Sequence, residues 1–343
     1  MSAVEAFNNI PGLSRIFLLS FLSFIVALIL TPIVSHFLYK YKITQKIREH
    51  GVDGKESKVY TSLHKVKEHT PTMGGIIIWL TVLFVTLFFN MSRPQTWLPL
   101  FTLVSAGILG VFDDIFNVLG VGAQKGIRAL RKFGLQVLIA GVGAWWFYYK
   151  LEFDMIHVPG VGDFSIGWLY IVLFVLVIVS TMNSVNITDG LDGLAGGLLA
   201  IAFGAFAVIA FAKGRIELAS FCGSIFGALL AFLWFNIYPA RFFMGDTGSM
   251  ALGATLGVVA LLLNSVLVLP IIGFVFVIET ASSLLQILSK KIFGKRIFIS
   301  APLHHHLEAR GWPEPKITMR FWVIAAAMGS IGLVIGLIGM GTG

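Results

Sequence analysis

Leu169–Leu194 reads LYIVLFVLVIVSTMNSVNITDGLDGL, an apolar run that empties into Asn183, Asn186, Thr188, Asp189 and Asp192, with Gly190 and Gly193 between. The run is long enough to cross a hydrocarbon core of roughly 30 Å at about 1.5 Å per residue. A charged side chain near lipid is costly, so acids at the end of such a run are functional by default. This one stretch implies a membrane-spanning helix that delivers polar groups to one membrane face.

The rest of the chain repeats the pattern. It has 343 residues, 57% hydrophobic and 12% charged, against about 25% charged in soluble domains. We read an all-α polytopic membrane protein with ten spans, near 16–38, 73–90, 97–115, 133–149, 166–183, 194–212, 217–236, 248–263, 266–289 and 318–340. Lys and Arg concentrate in cytoplasmic loops. Most of the 25 basic residues fall after spans 1, 3 and 9, among them Lys67, Lys125, Lys132 and Lys290. Those loops are therefore expected in the cytoplasm and both termini outside. One integral-membrane domain covers 1–343, with cytoplasmic loops near 39–72, 116–132, 184–193, 237–247 and 290–317.

Composition also excludes functions. Cys222 is the only cysteine, which leaves no internal disulfide. The net charge of +8 follows from the basic loops and suits anionic membrane lipid; no nucleic-acid-binding module accompanies it. The N-terminus carries Glu5, lacks a basic leader and opens on an apolar run too long for a cleaved signal peptide. Gly223-Ser-Ile-Phe-Gly227, Gly253-Ala-Thr-Leu-Gly257 and Gly332-Leu-Val-Ile-Gly336 let helices approach closely.

Three further segments join the opening stretch. Gly110-Val-Phe-Asp-Asp-Ile115 ends span 3 with adjacent carboxylates. Asp113 and Asp114 repel each other, so they need a metal, a cation or a shared proton, unless they form a solvated helix end. Asp189 and Asp192 would share a face on a helical turn. Asp246 precedes span 8 and reads either as a helix cap or as a metal ligand. His304, His305 and His306 follow Ala301-Pro302-Leu303; consecutive helical residues diverge by about 100°, so they cannot all face one target unless the segment is irregular. Their spacing does not suit zinc, whereas the carboxylates suit a hard cation such as Mg²⁺. Glu279, inside span 9, either lines the site or bonds locally near Ser282.

Acids for a metal, Lys and His for anions, and an opening beside lipid make up what phosphoryl transfer requires. One substrate would be soluble and the other a lipid entering between helices. An ion-coupled transporter also carries intramembrane acids. It usually places them near the bilayer midplane, often in repeats, whereas these acids gather at span ends.

Thr70-Pro-Thr-Met-Gly-Gly75, Phe112-Asp-Asp114, Asn186-Ile-Thr-Asp-Gly-Leu-Asp-Gly193, Phe243-Met-Gly-Asp246, Ala301-Pro-Leu-His-His-His306 and Gly311-Trp-Pro-Glu-Pro-Lys316 resemble the MraY family of phospho-N-acetylmuramoyl-pentapeptide transferases. The aspartate segments occur across the wider polyprenyl-phosphate N-acetylhexosamine-1-phosphate transferase superfamily. The Pro-Thr-Met-Gly-Gly segment and the histidine loop with its sequel carry the narrower resemblance. A sister enzyme transferring GlcNAc-1-phosphate would share every aspartate segment.

The resemblance implies a bacterial inner-membrane enzyme, generally homodimeric. It would move phospho-MurNAc-pentapeptide from UDP-MurNAc-pentapeptide to undecaprenyl phosphate, forming lipid I and UMP with Mg²⁺. Nucleoside antibiotics inhibit the family. By the same resemblance Asp246 is the principal Mg²⁺ ligand, with Asp113 and Asp114 as metal-binding catalytic pair. Lys67, Thr72, Lys125, Lys132, Asn183, Asn186, Asp189, Asp192 and Asn236 contact substrate, and Phe243 stacks on uracil. His304 and His305 contact the sugar-phosphate, His304 also counting as catalytic. The stretch Val118-Leu-Gly-Val-Gly-Ala123 is more apolar than the basic version expected of the family.

Overall fold

The computed structural model describes residues 11–44, 67, 70–120 and 127–338. A long helix lies at each expected span. They are α1 (Gly12–Lys40), α2 (Ile76–Phe89), α3 (Trp97–Leu119), α4 (Ala129–Lys150), α5 (Leu169–Thr188), α6 (Leu194–Ala212), α7 (Ile216–Asn236), α8 (Gly245–Leu262), α10 (Phe274–Phe293) and α12 (Glu314–Ile338). Seven of these are long and apolar enough to cross a membrane, and α2 is apolar but shorter. The other two, α4 and α10, are more polar. On α10, Glu279, Ser282, Gln286 and Ser289 face inward while Leu284, Leu288 and Ile292 are exposed. That is the reverse of a water-facing amphipathic helix and suits lipid on the outer side.

Three expectations need correction. The fold is not purely helical: β1 (Met155–Val158) and β2 (Gly162–Ser165) form an antiparallel hairpin after α4. Gly160 and Gly162 supply the positive-φ turn that alternation alone does not reveal. The expected span 266–289 is broken, because Gly273 separates the short helix α9 (Leu269–Ile272) from α10. The expected loop 184–193 is shorter, since α5 stays helical through Thr188. The histidine segment is a regular helix, α11 (Leu303–Ala309), so its three consecutive side chains diverge.

The helix α8 is the hub. It packs on α3 and α5, with α2 and α6 completing its surround, and every residue from Thr247 to Leu262 is buried. Around it, Phe17, Phe21, Leu138, Val172, Leu176 and Val323 are exposed on the outside of the bundle, an apolar surface that water would not tolerate but lipid does. Glycine sets the closeness of the central contacts. A Cβ on Gly75 would lie 2.2 Å from Gly248 Cα, and one on Gly110 would lie 2.3 Å from the Asp246 carbonyl. Both glycines therefore bring α2 and α3 against the first turn of α8.

Two polar ends result. At one, Arg15 Nη2 donates to Asn90 Oδ1 (2.9 Å), Asn90 Nδ2 donates to the Glu217 carbonyl, and the His157 amide donates to Asn264 Oδ1. At the other, the starts of α2, α4, α6, α8 and α12 meet the ends of α3, α5 and α7, and the aspartates lie there.

Candidate active site

The site grows from the first turn of α8. Gly245 precedes Asp246 with φ +72, and a Cβ there would lie 2.6 Å from Thr72 Oγ1 and 2.7 Å from Asp114 Oδ2, so only glycine fits. Backbone ties hold the Pro-Thr-Met-Gly-Gly segment against this turn: Phe243 N donates to Pro71 O (2.8 Å), Gly74 N to Phe243 O (2.8 Å) and Gly75 N to Met244 O (2.9 Å). Met244 occupies the cap position, and its own side chain makes no capping hydrogen bond. Asp246 is thus not the cap weighed from sequence; its carboxylate is free to face the site.

That carboxylate meets three elements. Asn186 Nδ2, from the last turn of α5, donates to Asp246 Oδ1 (2.7 Å) and to Ser249 Oγ (2.9 Å). Lys132, from the first turn of α4, donates to Asp246 Oδ2 and to Asp113 Oδ2, the latter at 2.9 Å. Asp113 Oδ1 accepts the Ile127 amide (2.9 Å). Carboxylates from α3 and α8 therefore converge on a single cation.

Asp113 and Asp114 face different partners. Asp114 turns the other way and accepts from Thr247 N (3.0 Å), Thr247 Oγ1 (2.8 Å) and Asp246 N (3.3 Å). Free amides at a helix start attract a carboxylate, and Asp114 thereby braces the first turn of α8. Among the described residues no three acidic, histidine or cysteine side chains group to hold a metal. The donor set that remains, Asp113 and Asp246 with amide oxygen from Asn186 nearby, is all oxygen and suits a hard cation.

A second cluster lies on the turn after α5. Lys67 Nζ is 2.6 Å from Asp192 Oδ1 and 2.5 Å from Glu314 Oε1, and it lies 5.7 Å from the centre of the Phe243 ring. Burial alone would lower the lysine's pKa; the charges of Glu314 and Asp192 outweigh it and raise it. Asp192 Oδ2 accepts the Ala240 amide (3.0 Å). Asp189 and Asp192 lie beyond the end of α5, so the shared helical face expected of them does not form. Burial pushes the Asp189 carboxyl up to about 7, the charge of Asp246 adding to the rise and a backbone hydrogen bond at Gly245 opposing it.

The remaining expected residues divide. Phe243 is half-buried beside Lys67. Thr72 is buried, its Oγ1 without a partner among the described residues, at the edge of the Asp114–Gly245 contact. Asn236 is spent on backbone, accepting from Gly193 N (3.1 Å) and donating to Phe242 O (2.9 Å). Asn183 pairs with Gln136 of α4 (2.8 Å) and donates to Val179 O. Both asparagines brace the walls of the site. His305 Nδ1 pairs with Glu308 (2.6 Å). His304 is fully buried, its Nδ1 2.9 Å from Glu279 Oε2, which settles the partner of Glu279. Lys125 lies outside the described residues.

Glu314, which bonds Lys67 and the Asp192 amide, is the member of this cluster that sequence reasoning passed over. It lies in the Gly-Trp-Pro-Glu-Pro segment, and an acid opening the last apolar span of a charge-poor chain was the available signal.

The sequence has known relatives. Residues 96–264 match the family described as Glycosyl transferase family 4. A phospho-N-acetylmuramoyl-pentapeptide-transferase of Geobacillus thermodenitrificans is 42% identical, over 91% of this chain and 95% of that protein. The protein of that name from Bacillus subtilis is 40% identical, over 92% and 95% respectively. Its counterpart in Chloroflexus aurantiacus is 42% identical, over 96% and 91%. Identity at this level across nearly the whole length of each protein leaves one conclusion: the chain belongs to the phospho-N-acetylmuramoyl-pentapeptide-transferase family.

Proposed function

We propose that the point where Asp113 and Asp246 converge on Lys132 is the phosphoryl-transfer centre of this enzyme. Family membership makes the chain a transferase of peptidoglycan synthesis that forms lipid I. The donor is UDP-MurNAc-pentapeptide and the acceptor undecaprenyl phosphate. An oxygen of the acceptor phosphate attacks the donor β-phosphorus, and the bond from that phosphorus to the bridging oxygen breaks. UMP leaves with the electron pair, and lipid I retains the new diphosphate.

The chain's own groups fit these tasks. Asp113, two-point bonded to Ile127 N and Lys132, is placed to orient the acceptor phosphate or take its proton. Lys132 supplies positive charge where charge spreads in the transition state. Lys67 and Phe243 form a cation and an aromatic face side by side, which suits a nucleotide diphosphate with its uracil. Asp189, Asp192, Thr72, Asn186 and His305 line or support that donor side; Asn183 and Asn236 hold its walls. Asp113 and Asp246 would hold Mg²⁺, which supplies charge neutralisation for the diphosphate. Direct attack by the lipid phosphate is preferred to a covalent aspartyl-phosphate, since that phosphate is already a competent nucleophile.

The membrane placement is part of the same reading. All ten long helices span the bacterial inner membrane as one domain, termini outside, with the aspartate end in the cytoplasm where the basic loops lie. Lipid enters between helices, and the protein works as a homodimer open to nucleoside antibiotics at the donor site.

The observation that carries the proposal is the convergence of two carboxylates from separate helices on one cation. UMP release by the detergent-solubilised protein tests it, with Mg²⁺, undecaprenyl phosphate, and UDP-MurNAc-pentapeptide or UDP-GlcNAc as donor. Turnover of the muramyl donor alone, abolished by Asp246→Ala, is expected. Turnover of UDP-GlcNAc alone would assign the sister activity.

A further inference from the structure

Glu279 lies inside α10 with its side chain 0% exposed, as is that of His304. A carboxylate kept in an apolar helix needs hydrogen bonds to offset its desolvation. Both of its oxygens serve His304: Oε2 is 2.9 Å from Nδ1, and Oε1 accepts the backbone amide at 3.2 Å. Two contacts from one carboxylate fix the ring's orientation and assign Nδ1 to Glu279.

The other end of the ring points at the donor turn. His304 Nε2 is buried and has no hydrogen-bond partner among the described residues. A Cβ built on Gly190 would lie 2.3 Å from it, so the imidazole occupies the side-chain position that glycine leaves free. Gly190 lies in a turn in which three amides are tied down: Gly190 N donates to Thr188 O (2.9 Å), Asp192 N to Glu314 Oε1 (2.6 Å) and Gly193 N to Asn236 Oδ1 (3.1 Å). That turn carries Asp189 and Asp192.

We propose that Glu279 is a positioning residue for the donor site, acting through His304, which wedges beneath Gly190 and sets the placement of Asp189 and Asp192. The inference rests on the donor-side reading of those two aspartates. On this reading the ring is the floor under the turn, and its effect on the donor passes through backbone. Gln286 supports the arrangement from the same helix, accepting the Ile297 and Phe298 amides at 3.0 Å each and so pinning the strap that leads into α11.

Hydrogen exchange and substrate kinetics on the full-length protein test the proposal together. Glu279→Gln should speed amide exchange at Gly190, Asp192 and Gly193. It should raise the donor KM by roughly 10- to 100-fold, the effect of losing a charged hydrogen bond, while the undecaprenyl phosphate KM stays put. Gly190→Ala, which displaces the ring and leaves Glu279 intact, should reproduce the donor effect. The Glu279→Gln/His304→Asn double variant should be no worse than His304→Asn alone. Unchanged exchange at the turn in either folded variant, equal changes in both KM values, or losses that multiply in the double variant would each overturn it. Faster exchange in a protein whose wild type does not turn over the muramyl donor would instead reject the proposed reaction and leave the wedge standing.

Discussion

Lys67 Nζ lies 2.5 Å from Glu314 Oε1, joining residues 247 positions apart in the chain. The same carboxylate oxygen accepts the Asp192 amide at 2.6 Å. Glu314 thereby fixes, from the first turn of the last helix, both the loop cation and the donor turn. Trp322, two turns further along that helix, adds a bond from Nε1 to Gly193 O (3.2 Å). The carboxyl-terminal helix is thus a clamp on the donor side, not only a membrane anchor.

Glu314→Gln removes the charge and keeps the shape. A charged hydrogen bond contributes about 1.5–3 kcal/mol, so the donor KM should rise by roughly tenfold or more with little change for the lipid acceptor. Steady-state kinetics with each substrate varied checks this. A fall in donor KM would show instead that Glu314 competes with the donor for Lys67.

Lys132 bridges two carboxylates that otherwise repel. Lys132→Met should make the site more attractive to a divalent cation, so the Mg²⁺ concentration for half-maximal activity should fall. The same change should cost kcat about 10²- to 10³-fold, the loss seen when one transition-state donor is removed. Mg²⁺ titration of initial rates reads both effects. A higher Mg²⁺ requirement would mean that Lys132 does not share the cation's position.

Alanine normally favours a helix over glycine by about 1 kcal/mol. At Gly110 the sign should reverse, because the added Cβ would lie 2.3 Å from the Asp246 backbone oxygen. Gly110→Ala should destabilise the protein by about 1–3 kcal/mol and lower activity by prying Asp113 from Asp246. Gly134 is the control: nothing lies within 4 Å of a Cβ there, so Gly134→Ala should be neutral or stabilising. Thermal unfolding in detergent compares the two.

Much of this was legible before any coordinates. Uncharged runs ending in Asp113-Asp114, Asn186 to Asp192 and Asp246 located the helices and the polar end, because a bilayer leaves few other places for such residues. What the sequence hid were pairings between distant segments. Nothing local marks Asn183 for Gln136, Asn236 for the backbone of Gly193, or Glu279 for His304. The burial of His304 was equally hidden, since a histidine beside two others reads as exposed until α10 is packed against it. Glycines carried the missing geometry, and their partners appear only in three dimensions.

Asp189 provides a test of how the metal and the donor turn are linked. With no metal bound, burial first and then the charge of Asp246 push its carboxyl up to about 7. The sign follows directly. Raised above the ordinary carboxylate range, Asp189 is largely protonated below pH 6, close to half protonated at pH 7, and ionised above pH 8. A divalent cation at Asp113 and Asp246 favours the ionised form, so Mg²⁺ uptake near pH 7 should expel part of a proton from Asp189. Calorimetric titration of Mg²⁺ into the protein, repeated in buffers of different ionisation enthalpy, measures that release. It should be large at pH 6.5–7, small at pH 8.5, and reduced in Asp189→Asn. Release that persists undiminished in Asp189→Asn would assign the proton to another group and uncouple this turn from the metal.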